Sequence, residues 1–273
     1  MDIIEIDRKT CTQCGICAAE CPGFLISFQP QNYPQPLTLA ESVCIRCGHC
    51  VAVCPTGSLT HRDIPVEKLP AFQESLRVSA EQCEQLLKGR RSVRAFKDQP
   101  VSREMVARLI KEASYAPTGH NNQEVEWLVI DSREELNRIE KIGIDWIRWV
   151  TKNQPQMAAI LNMEEMLKRQ EKYADVLLRN APVLIVAHAP KDISLALIDS
   201  ATALVYLDIA SNSLGLGTCW AGLIYIMANS FLPVKNAISV PEGHATYGCI
   251  MLGYNKFKYP RIPLRKEPKI SWR

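Results

Sequence analysis

Two cysteine runs near the start of the chain constrain its fold more than any other feature. The first run reads Cys11-x2-Cys14-x2-Cys17-x3-Cys21-Pro22, and the second, 33 positions later, reads Cys44-x2-Cys47-x2-Cys50-x3-Cys54-Pro55. Eight of the 11 cysteines lie in these runs. The first ten residues lack the apolar stretch of a secretory signal, so we expect a cytoplasmic protein whose thiols stay reduced. Metal or cluster ligation therefore explains the cysteines better than disulfides do.

Three cysteines at intervals of three, with a fourth before proline, are typical of [4Fe-4S] ligation. About the first 64 residues resemble the bacterial two-cluster ferredoxins, and the resemblance implies that the fourth cysteine of each run serves the other cluster. The first cluster would then be bound by Cys11, Cys14, Cys17 and Cys54. The second would be bound by Cys44, Cys47, Cys50 and Cys21. Two clusters would also hold together a segment too short to bury much core.

The alternative for these cysteines is a pair of structural zinc sites, because Cys-x2-Cys pairs also occur in zinc proteins. A zinc ribbon needs two such pairs per metal and has no use for two repeats of four cysteines, each closed by proline. Gly15 and Gly48 each follow the second cysteine of a run, where a missing side chain lets backbone N–H groups approach sulfur. The pattern favours iron-sulfur clusters.

Length and composition predict a soluble protein with two domains. The chain has 273 residues, of which 47% are hydrophobic and 22% are charged. We expect a cluster domain over residues 1–64, a linker over 65–86 and a larger domain over 87–273. The net charge of +3 gives no reason to expect a nucleic-acid partner. The longest apolar run, Val183–Ala189, is far below the roughly 20 residues of a membrane span.

The second part of the chain resembles the nitroreductase family of FMN enzymes. The resemblance rests on Arg90-Arg-Ser-Val-Arg-Ala-Phe96, on Ala116-Pro-Thr-Gly-His-Asn-Asn-Gln123 and on Leu214-Gly-Leu-Gly-Thr-Cys-Trp-Ala-Gly222. It implies an α+β fold, a mixed α/β sandwich with a central antiparallel-type sheet flanked by helices, after the small ferredoxin-like domain. Ser102 is a candidate N-cap for a helix whose apolar stripe includes Val106 and Leu109. Val125–Ile130 is expected as a buried strand.

The resemblance also implies a set of FMN-binding residues. Those expected around the phosphate are Arg90, Arg91, Ser92, Arg94 and Arg261, since a phosphate dianion favours guanidinium and hydroxyl donors. Those expected near the flavin ring or ribityl chain, across the subunit boundary, are Pro117, Thr118, Gly119, Asn121 and Gln123. The alternatives are a solvated basic face for the first set and an ordinary loop for the second.

The resemblance places hydride chemistry at flavin N5, beside the backbone of Ala221 and Gly222, where small residues permit close stacking. No side chain is assigned a catalytic role. Cys219 lies beside them, but no general base accompanies it, so a packed thiol is the better interpretation.

Two parts of the second domain depart from the family pattern. Many nitroreductases continue Gln-Pro-Trp where this chain has Gln123-Glu-Val125, and residues 142–179 match nothing that can be transferred. Trp146 and Trp149, at i and i+3, share a helical face that fits either a lid over the substrate or core packing. His120, His188 and His244 show no spacing typical of an acid or a metal ligand.

These patterns together predict an FMN-dependent oxidoreductase. Two [4Fe-4S] clusters, loaded by ferredoxin or a similar low-potential donor, would pass single electrons to FMN for two-electron reduction of a small electron-poor substrate such as a nitro compound or quinone. One alternative is reduction of the flavin by NAD(P)H, with the clusters as electron exit. Another is a flavin and iron-sulfur electron carrier or redox sensor without a substrate. The resemblance implies a homodimer with FMN at the subunit interface, for which the apolar helix Leu195–Leu214 is suited.

Overall fold

A computed structural model describes residues 2–172 and 175–273. The chain divides into two compact units. Unit 1 comprises residues 1–77 together with 120–122, and unit 2 comprises residues 78–119 together with 123–273. None of the helices in these described ranges combines the length and apolar character needed to cross a bilayer.

Unit 1 consists of short elements around the two cysteine runs. Its helices are α1 (Ile16–Glu20), α2 (Ala40–Val43) and α3 (His49–Ala52). Its strands are β1 (Ile4–Ile6), β2 (Ile26–Ser27), β3 (Gln35–Pro36) and β4 (Leu59–His61). The strands form two antiparallel pairs, β1 with β4 and β2 with β3. Each cysteine run therefore becomes a loop that leads into one short helix.

The 33-residue sequence repeat is also a repeat of backbone conformation. Gly15 (φ 74°) precedes α1 and Gly48 (φ 72°) precedes α3, both in the left-handed region that glycine adopts without strain. Gln13 and Arg46, also 33 positions apart, have φ of 55° and 51°. A Cβ at Gly15 would lie 2.4 Å from Phe28 Cε1. The same left-handed turns therefore recur in both halves of the unit.

Unit 2 contains a four-stranded sheet and eight α-helices among its described residues. The strands are β5 (Glu126–Ile130), β6 (Val183–Pro190), β7 (Leu216–Trp220) and β8 (His244–Tyr254). The helices are α4 (Ala80–Gly89), α5 (Arg103–Ala113), α6 (Arg133–Asn153), α7 (Pro155–Ile160), α8 (Met163–Lys172), α9 (Ala196–Ser213), α10 (Gly222–Ser230) and α11 (Leu232–Ile238). The sheet order is β5-β6-β8-β7, and every pair is antiparallel. The prediction of an antiparallel sheet flanked by helices is confirmed.

Both faces of this sheet are covered by apolar side chains. Leu184 and Val186 of β6 face a core shared with α6, α10 and α11, while Val183, Ile185 and Ala187 face a core shared with α5 and α9. β6 is consequently buried along almost its whole length. β5 lies at the edge of the sheet, and its side chains are only half-buried or exposed. The expectation of a buried strand at Val125–Ile130 was therefore wrong in burial, although correct in the type of structure.

Serine caps fix the starts of several helices. Ser102 Oγ accepts a hydrogen bond from Met105 N at 3.3 Å, which confirms the predicted N-cap of α5. Ser79 and Gln82 form a capping box at the start of α4. The residues just before it, 74–76, form only a 3-10 turn.

The stretch 142–179 continues α6 and then forms α7 and α8, and its residues Tyr173 and Ala174 lie outside the described residues. Trp146 is only 5% exposed and belongs to the core, whereas Trp149 is 51% exposed. The two rings do not share one environment. Trp146 therefore has the core-packing role that sequence analysis had left open as one of two choices.

Candidate iron-sulfur and flavin sites

The structure brings the four predicted ligands of the first cluster to one cavity in unit 1. Cys11, Cys14, Cys17 and Cys54 all line it, together with Gly15 and Ile6. Burial raises the pKa of the Cys17 thiol, and the nearby Cys54 and Cys14 raise it further. The fourth cysteine of the second run thus lies with the first three of the first run, as the crossed assignment requires.

The four predicted ligands of the second cluster also lie close together. Burial raises the pKa of the Cys50 thiol to about 11, and the negative charges that Cys21, Cys47 and Cys44 would carry contribute to that rise. Thiolates packed this closely repel one another unless a cation sits among them. Cys21 is therefore a neighbour of the second run, and this donor set fits a metal centre.

Backbone and side-chain donors point at several of these sulfurs. Leu25 N donates to Cys21 Sγ at 3.3 Å, and Arg46 N donates to Cys44 Sγ at 3.4 Å. Burial would raise the pKa of Cys54, but donors from Thr56, Leu59 and Ser58 outweigh it and lower that pKa. Hydrogen bonds to thiolates stabilise the ligating form and tune a cluster's potential.

The distances between the cysteine sulfurs distinguish a cluster site from a site for a single zinc ion. In a tetrahedral zinc site with Zn–S bonds of about 2.3 Å, the sulfurs lie roughly 3.8 Å apart. Within residues 2–172 and 175–273, no three cysteine sulfurs lie within 4.8 Å of one another. The wider spacing fits a polynuclear cluster, whose ligands bind different metal atoms.

His61 is a neighbour of the second cysteine group that sequence analysis missed. Its ring is almost fully buried, and His61 Nε2 lies 3.7 Å from Cys44 Sγ. Its Nδ1 accepts a hydrogen bond from Asp63 N at 3.0 Å. This bond leaves the proton on Nε2, facing the sulfur. His61 lies outside both cysteine runs, so no spacing rule pointed to it.

A polar cavity of about 230 Å³ in unit 2 contains part of the predicted phosphate site. Arg90 and Arg91 line it, as do three polar residues that sequence analysis did not identify, Thr218, Asn255 and Lys258. Among the described residues, Asn255 Oδ1 is buried without a hydrogen-bond partner. The guanidinium groups of Arg90 and Arg91 and the ammonium group of Lys258 give this cavity the cationic donors that a bound phosphate ester requires.

Asp208 of α9 orients one of these arginines. Arg90 Nη1 lies 3.1 Å from Asp208 Oδ2, and Thr218 Oγ1 donates to the other oxygen of the same carboxylate. Burial raises the pKa of Asp208, and the hydrogen bond from Thr218 and the charge of Arg90 oppose the rise. The ion pair with Asp208 holds the guanidinium group of Arg90 at the cavity wall.

The other predicted phosphate ligands lie around this cavity rather than in it. Ser92 forms a parallel bridge with Thr218, and Val93 N donates to Thr218 O at 2.8 Å. Arg94 is exposed, and its positive charge acts to lower the pKa of the thiol of Cys219, which follows Thr218 in β7. Arg261 lines an open cavity that shares Gly89, Asn212 and Tyr259 with the first. Within the described ranges, therefore, the five residues do not form a single cage.

The predicted ring-binding loop lies at the opposite end of α9 from the phosphate cavity. Gly119 N donates to both carboxylate oxygens of Asp199, at 3.1 and 3.2 Å, and Gln123 N donates to Thr118 Oγ1 at 3.1 Å. Asp199 and Asp208 are nine residues apart on α9, about 14 Å along the helix. One chain thus holds the two halves of the predicted flavin site apart. Pro117 is exposed at the start of the loop.

Asn121 has a contact that the resemblance did not predict. Its Nδ2 donates to Ile45 O and Arg46 O, both at 3.1 Å, within the second cysteine run. This contact lies inside unit 1, to which residues 120–122 belong. His120, Asn121 and Gln123 all have positive φ, a conformation that costs energy in non-glycine residues and concentrates at functional sites. The amide group of Asn121 is therefore directed at the cysteine loop.

Of the two backbone amides expected near flavin N5, one is already used. Ala221 N donates to Cys249 O at 2.8 Å. Gly222 begins α10, where backbone N–H groups have no partner within the helix. Burial raises the pKa of the Cys219 thiol despite the nearby Arg94 and Arg179, which supports its interpretation as a packed thiol.

Two family models match the chain. Residues 87–254 match the nitroreductase family, and residues 10–58 match the 4Fe-4S dicluster domain. A relative from Archaeoglobus fulgidus, provisionally named as an NADH dehydrogenase/NAD(P)H nitroreductase, is 24% identical over 181 residues, which cover 64% of this chain and 87% of the relative.

Solved structures share the fold of this chain. A nitroreductase with bound FMN from Desulfitobacterium hafniense has a TM-score of 0.57 at 22% identity, covering 69% of this chain and 96% of that chain. Iodotyrosine deiodinase bound to FMN and 3-iodo-L-tyrosine has a TM-score of 0.54 at 21% identity, covering 70% of this chain and 98% of that chain. With the family match over residues 87–254, this shared fold shows that the chain belongs to the nitroreductase family of oxidoreductases and carries a 4Fe-4S dicluster domain ahead of it.

Proposed function

We propose that the chain is an FMN-dependent oxidoreductase in which two [4Fe-4S] clusters pass electrons to FMN for two-electron (hydride) reduction of a small electron-poor substrate such as a nitro compound or quinone. The observation that carries the proposal is the gathering of two four-cysteine sets in a chain whose remainder is a nitroreductase domain. We assign residues 1–64 to the cluster domain, 65–86 to the linker and 87–273 to the flavin domain. We place the protein in the cytoplasm, where cysteines stay reduced and available as cluster ligands.

The choice of FMN is supported by similar proteins and by the cavity in unit 2. The nitroreductase from Desulfitobacterium hafniense and iodotyrosine deiodinase both bind FMN. In this chain Arg90, Arg91 and Lys258 would hold the phosphate, and Asp208 would keep Arg90 in place. Ser92, Arg94 and Arg261 would complete the binding from the cavity's surroundings. FMN supplies the change from one-electron to two-electron transfer, since iron-sulfur clusters move electrons singly.

We further propose a homodimer that completes each flavin site. The ring-binding loop and the phosphate cavity lie at opposite ends of α9, so a second copy is needed to bring a loop to each cavity. Pro117, Thr118, Gly119 and Gln123 would act from the partner subunit. α9 also exposes apolar side chains, including Leu197 (51%), Ile198 (62%) and Val205 (44%), which suit burial against a second copy.

The contacts of Asn121 support a proposal about which cluster serves the flavin. Its hydrogen bonds to Ile45 O and Arg46 O tie the middle of the proposed flavin loop to the loop of the second cluster. The proposal gives the second cluster, bound by Cys44, Cys47, Cys50 and Cys21, the role of direct donor to FMN.

An anaerobic stopped-flow experiment on the iron-replete protein tests the function. Reduced ferredoxin is expected to bleach the flavin, and a nitroaromatic or a quinone to restore its colour with turnover. Cys50→Ser should abolish bleaching by ferredoxin, whereas Cys83→Ser, at an exposed cysteine outside both sets, should leave it unchanged. Unchanged bleaching in Cys50→Ser would overturn the electron route.

The second candidate is direct reduction of the flavin by NAD(P)H with the clusters as electron exit. The name of the Archaeoglobus fulgidus relative favours it. Rapid bleaching by NADH or NADPH alone, undiminished in Cys50→Ser, would select this candidate. If neither donor supports turnover of any acceptor, an electron carrier or redox sensor remains.

A further inference from the structure

Three potential metal ligands that are far apart in sequence meet on the unit 2 sheet. Glu126 is the first residue of β5 and lies directly opposite His188 on β6, while His244 is the first residue of β8. A register shift at Ala187/His188 interrupts the pairing of β6 with β8 at this point. Such irregularities re-aim side chains, so His188 and His244 point toward each other. The sequence spacing gave no sign of this group, because the three residues come together only through the pairing of the strands.

The ligand atoms are as close as a single metal ion requires. His188 Nδ1 lies 3.0 Å from His244 Nδ1, and the ligand atoms of all three residues lie within 4.8 Å of one another. Two imidazole nitrogens bound to tetrahedral zinc at about 2.0–2.1 Å are roughly 3.3 Å apart. The histidines thus need only a small rotation, and Glu126 is exposed and free to turn inward. In the described parts of the chain, this is the one such group of three.

Burial and charge prepare the site for a cation. His188 is 3% exposed, His244 is half-buried and Glu126 is at the surface. Burial lowers the pKa of His188, with the carboxylate of Glu126 opposing and His244 reinforcing the shift. The carboxylate supplies negative charge toward a divalent ion.

We propose that Glu126, His188 and His244 bind one Zn²⁺ ion, with a fourth position open to water. Two imidazole nitrogens and one carboxylate oxygen form a donor set that zinc commonly uses, and three protein ligands leave a position for solvent. The ion would join three adjacent strands, β5, β6 and β8, at one end of the sheet. Its direct effect would be to stabilise unit 2, because it binds only where the strands are paired.

This site is distinct from the phosphate cavity and from the cluster sites. The proposed phosphate cavity includes Asn255 and Lys258, just after the other end of β8. His244 and Tyr254 are ten residues apart along an extended strand, a separation of about 30 Å. The thiols of the cluster sites belong to unit 1. Zinc at the histidine site would therefore not require loss of flavin or iron.

The test is anaerobic equilibrium dialysis of the full-length, iron-replete protein against buffered free Zn²⁺, with iron and flavin measured in the same samples. We expect one zinc per chain at constant iron. Glu126→Gln and His244→Gln, both outside the buried core, should weaken zinc binding at least about tenfold. Glu242→Gln removes an exposed carboxylate two residues from His244, and His120→Gln removes an exposed imidazole elsewhere; both should bind zinc as the wild type does.

Two further measurements test whether the histidines bind the zinc directly. One detects a variant that has merely lost its fold, and the other detects zinc that is bound by cysteine. Zinc should raise the melting temperature of unit 2 in the wild type but not in His244→Gln. X-ray absorption at the zinc edge should show nitrogen and oxygen neighbours near 2.0–2.1 Å and no sulfur near about 2.3 Å. Sulfur in the zinc shell, or equal zinc binding by Glu126→Gln, His244→Gln and wild type, would overturn the proposal. Absence of zinc binding in the wild type would leave the histidines as a hydrogen-bonded pair and overturn it equally.

Discussion

The core of unit 1 has eight buried residues, of which one is the predicted ligand Cys17, whereas the sheet of unit 2 has 25 buried residues on one face and 12 on the other among those described. The cofactor sites of the two units also differ, in how far apart their residues lie in the sequence. The eight cysteines of unit 1 lie within residues 11–54, but the phosphate cavity of unit 2 draws on residues from 89 to 259. A small unit depends on its ligands for stability, whereas a large unit has a hydrophobic core that is stable without the ligand and holds the site in place.

Removal of iron should have the largest effect. It tests directly whether unit 1 depends on its ligands for stability while unit 2 does not. With the clusters removed from the full chain, we expect peptides from residues 1–64 to lose nearly all protection from amide hydrogen exchange, because eight buried residues cannot hold the unit. Peptides from β6 should keep theirs. Hydrogen-exchange mass spectrometry of the iron-replete and iron-free protein measures both. A protected N-terminal unit without iron would show that its core suffices.

A cavity in the unit 2 core should give the next largest effect. Leu204 of α9 is fully buried, so Leu204→Ala should lower the free energy of unfolding of unit 2 by about 2–5 kcal/mol. Iron content should stay the same. The matched control is Leu264→Ala, whose side chain is 98% exposed and should change stability by less than about 0.5 kcal/mol. Urea titration followed by circular dichroism measures both; equal effects would contradict the core assignment.

The phosphate residues should affect binding and leave the fold of unit 1 intact. Removing Arg94 and Arg261 together should weaken FMN binding about 100-fold or more, since each charged hydrogen bond contributes about 1.5–3 kcal/mol. Arg148→Ala, which removes an exposed arginine paired with Asp145, is the control. Ultrafiltration with flavin fluorescence and iron analysis gives both cofactor contents. Full flavin occupancy in the double variant would refute this part of the site.

Glu140 should make the stability of unit 2 depend on pH. Burial, together with the charge of Asp175, raises the pKa of Glu140 to about 8. The folded state therefore keeps a proton that the unfolded state loses, and stability falls as pH rises from about 4.5 to 8, by at most about 1.4 kcal/mol per pH unit. Glu140→Gln should flatten this slope, as measured by urea midpoints across the pH range. An unchanged slope would contradict the buried neutral acid.

Helix caps should give the smallest effect and refine the comparison within unit 2. Ser102 caps α5, which buries Val106, Leu109 and Ala113, so Ser102→Ala should cost about 1 kcal/mol of global stability. Ser79 caps α4, which buries none of its residues, so Ser79→Ala should fray that helix without moving the global transition. Urea midpoints and local hydrogen exchange distinguish the two; identical shifts in the midpoint would contradict this difference.

The sequence was most informative where ligands follow one another closely. The cysteine spacing predicted cluster ligation, and the resemblance to two-cluster ferredoxins implied the exchange of Cys21 and Cys54 between the runs. In the structure Cys54 lies with the first run and Cys21 lies near the second. The N-cap at Ser102 was predictable for a similar reason, since a helix cap depends on residues within a few positions. The antiparallel sheet was expected from the resemblance to the nitroreductase family and not from a local pattern.

The parts that sequence could not predict depend on pairing between distant strands and loops. Asp208, Asn255 and Lys258 join the phosphate cavity only because α9, β7 and β8 are adjacent. Glu126, His188 and His244 meet through the register of three strands and a local irregularity, which no spacing rule encodes. The use of Ala221 N by Cys249 O likewise follows from pairing beside β8.

Freeze-quench electron paramagnetic resonance during anaerobic reduction by ferredoxin tests the central claim most directly, that iron and flavin exchange electrons within one assembly. The account predicts that reduced-cluster signals appear first and decay in step with flavin reduction, and that Cys50→Ser removes both events while FMN stays bound. Clusters that remain reduced beside oxidised flavin, or flavin reduction at an unchanged rate in Cys50→Ser, would contradict it.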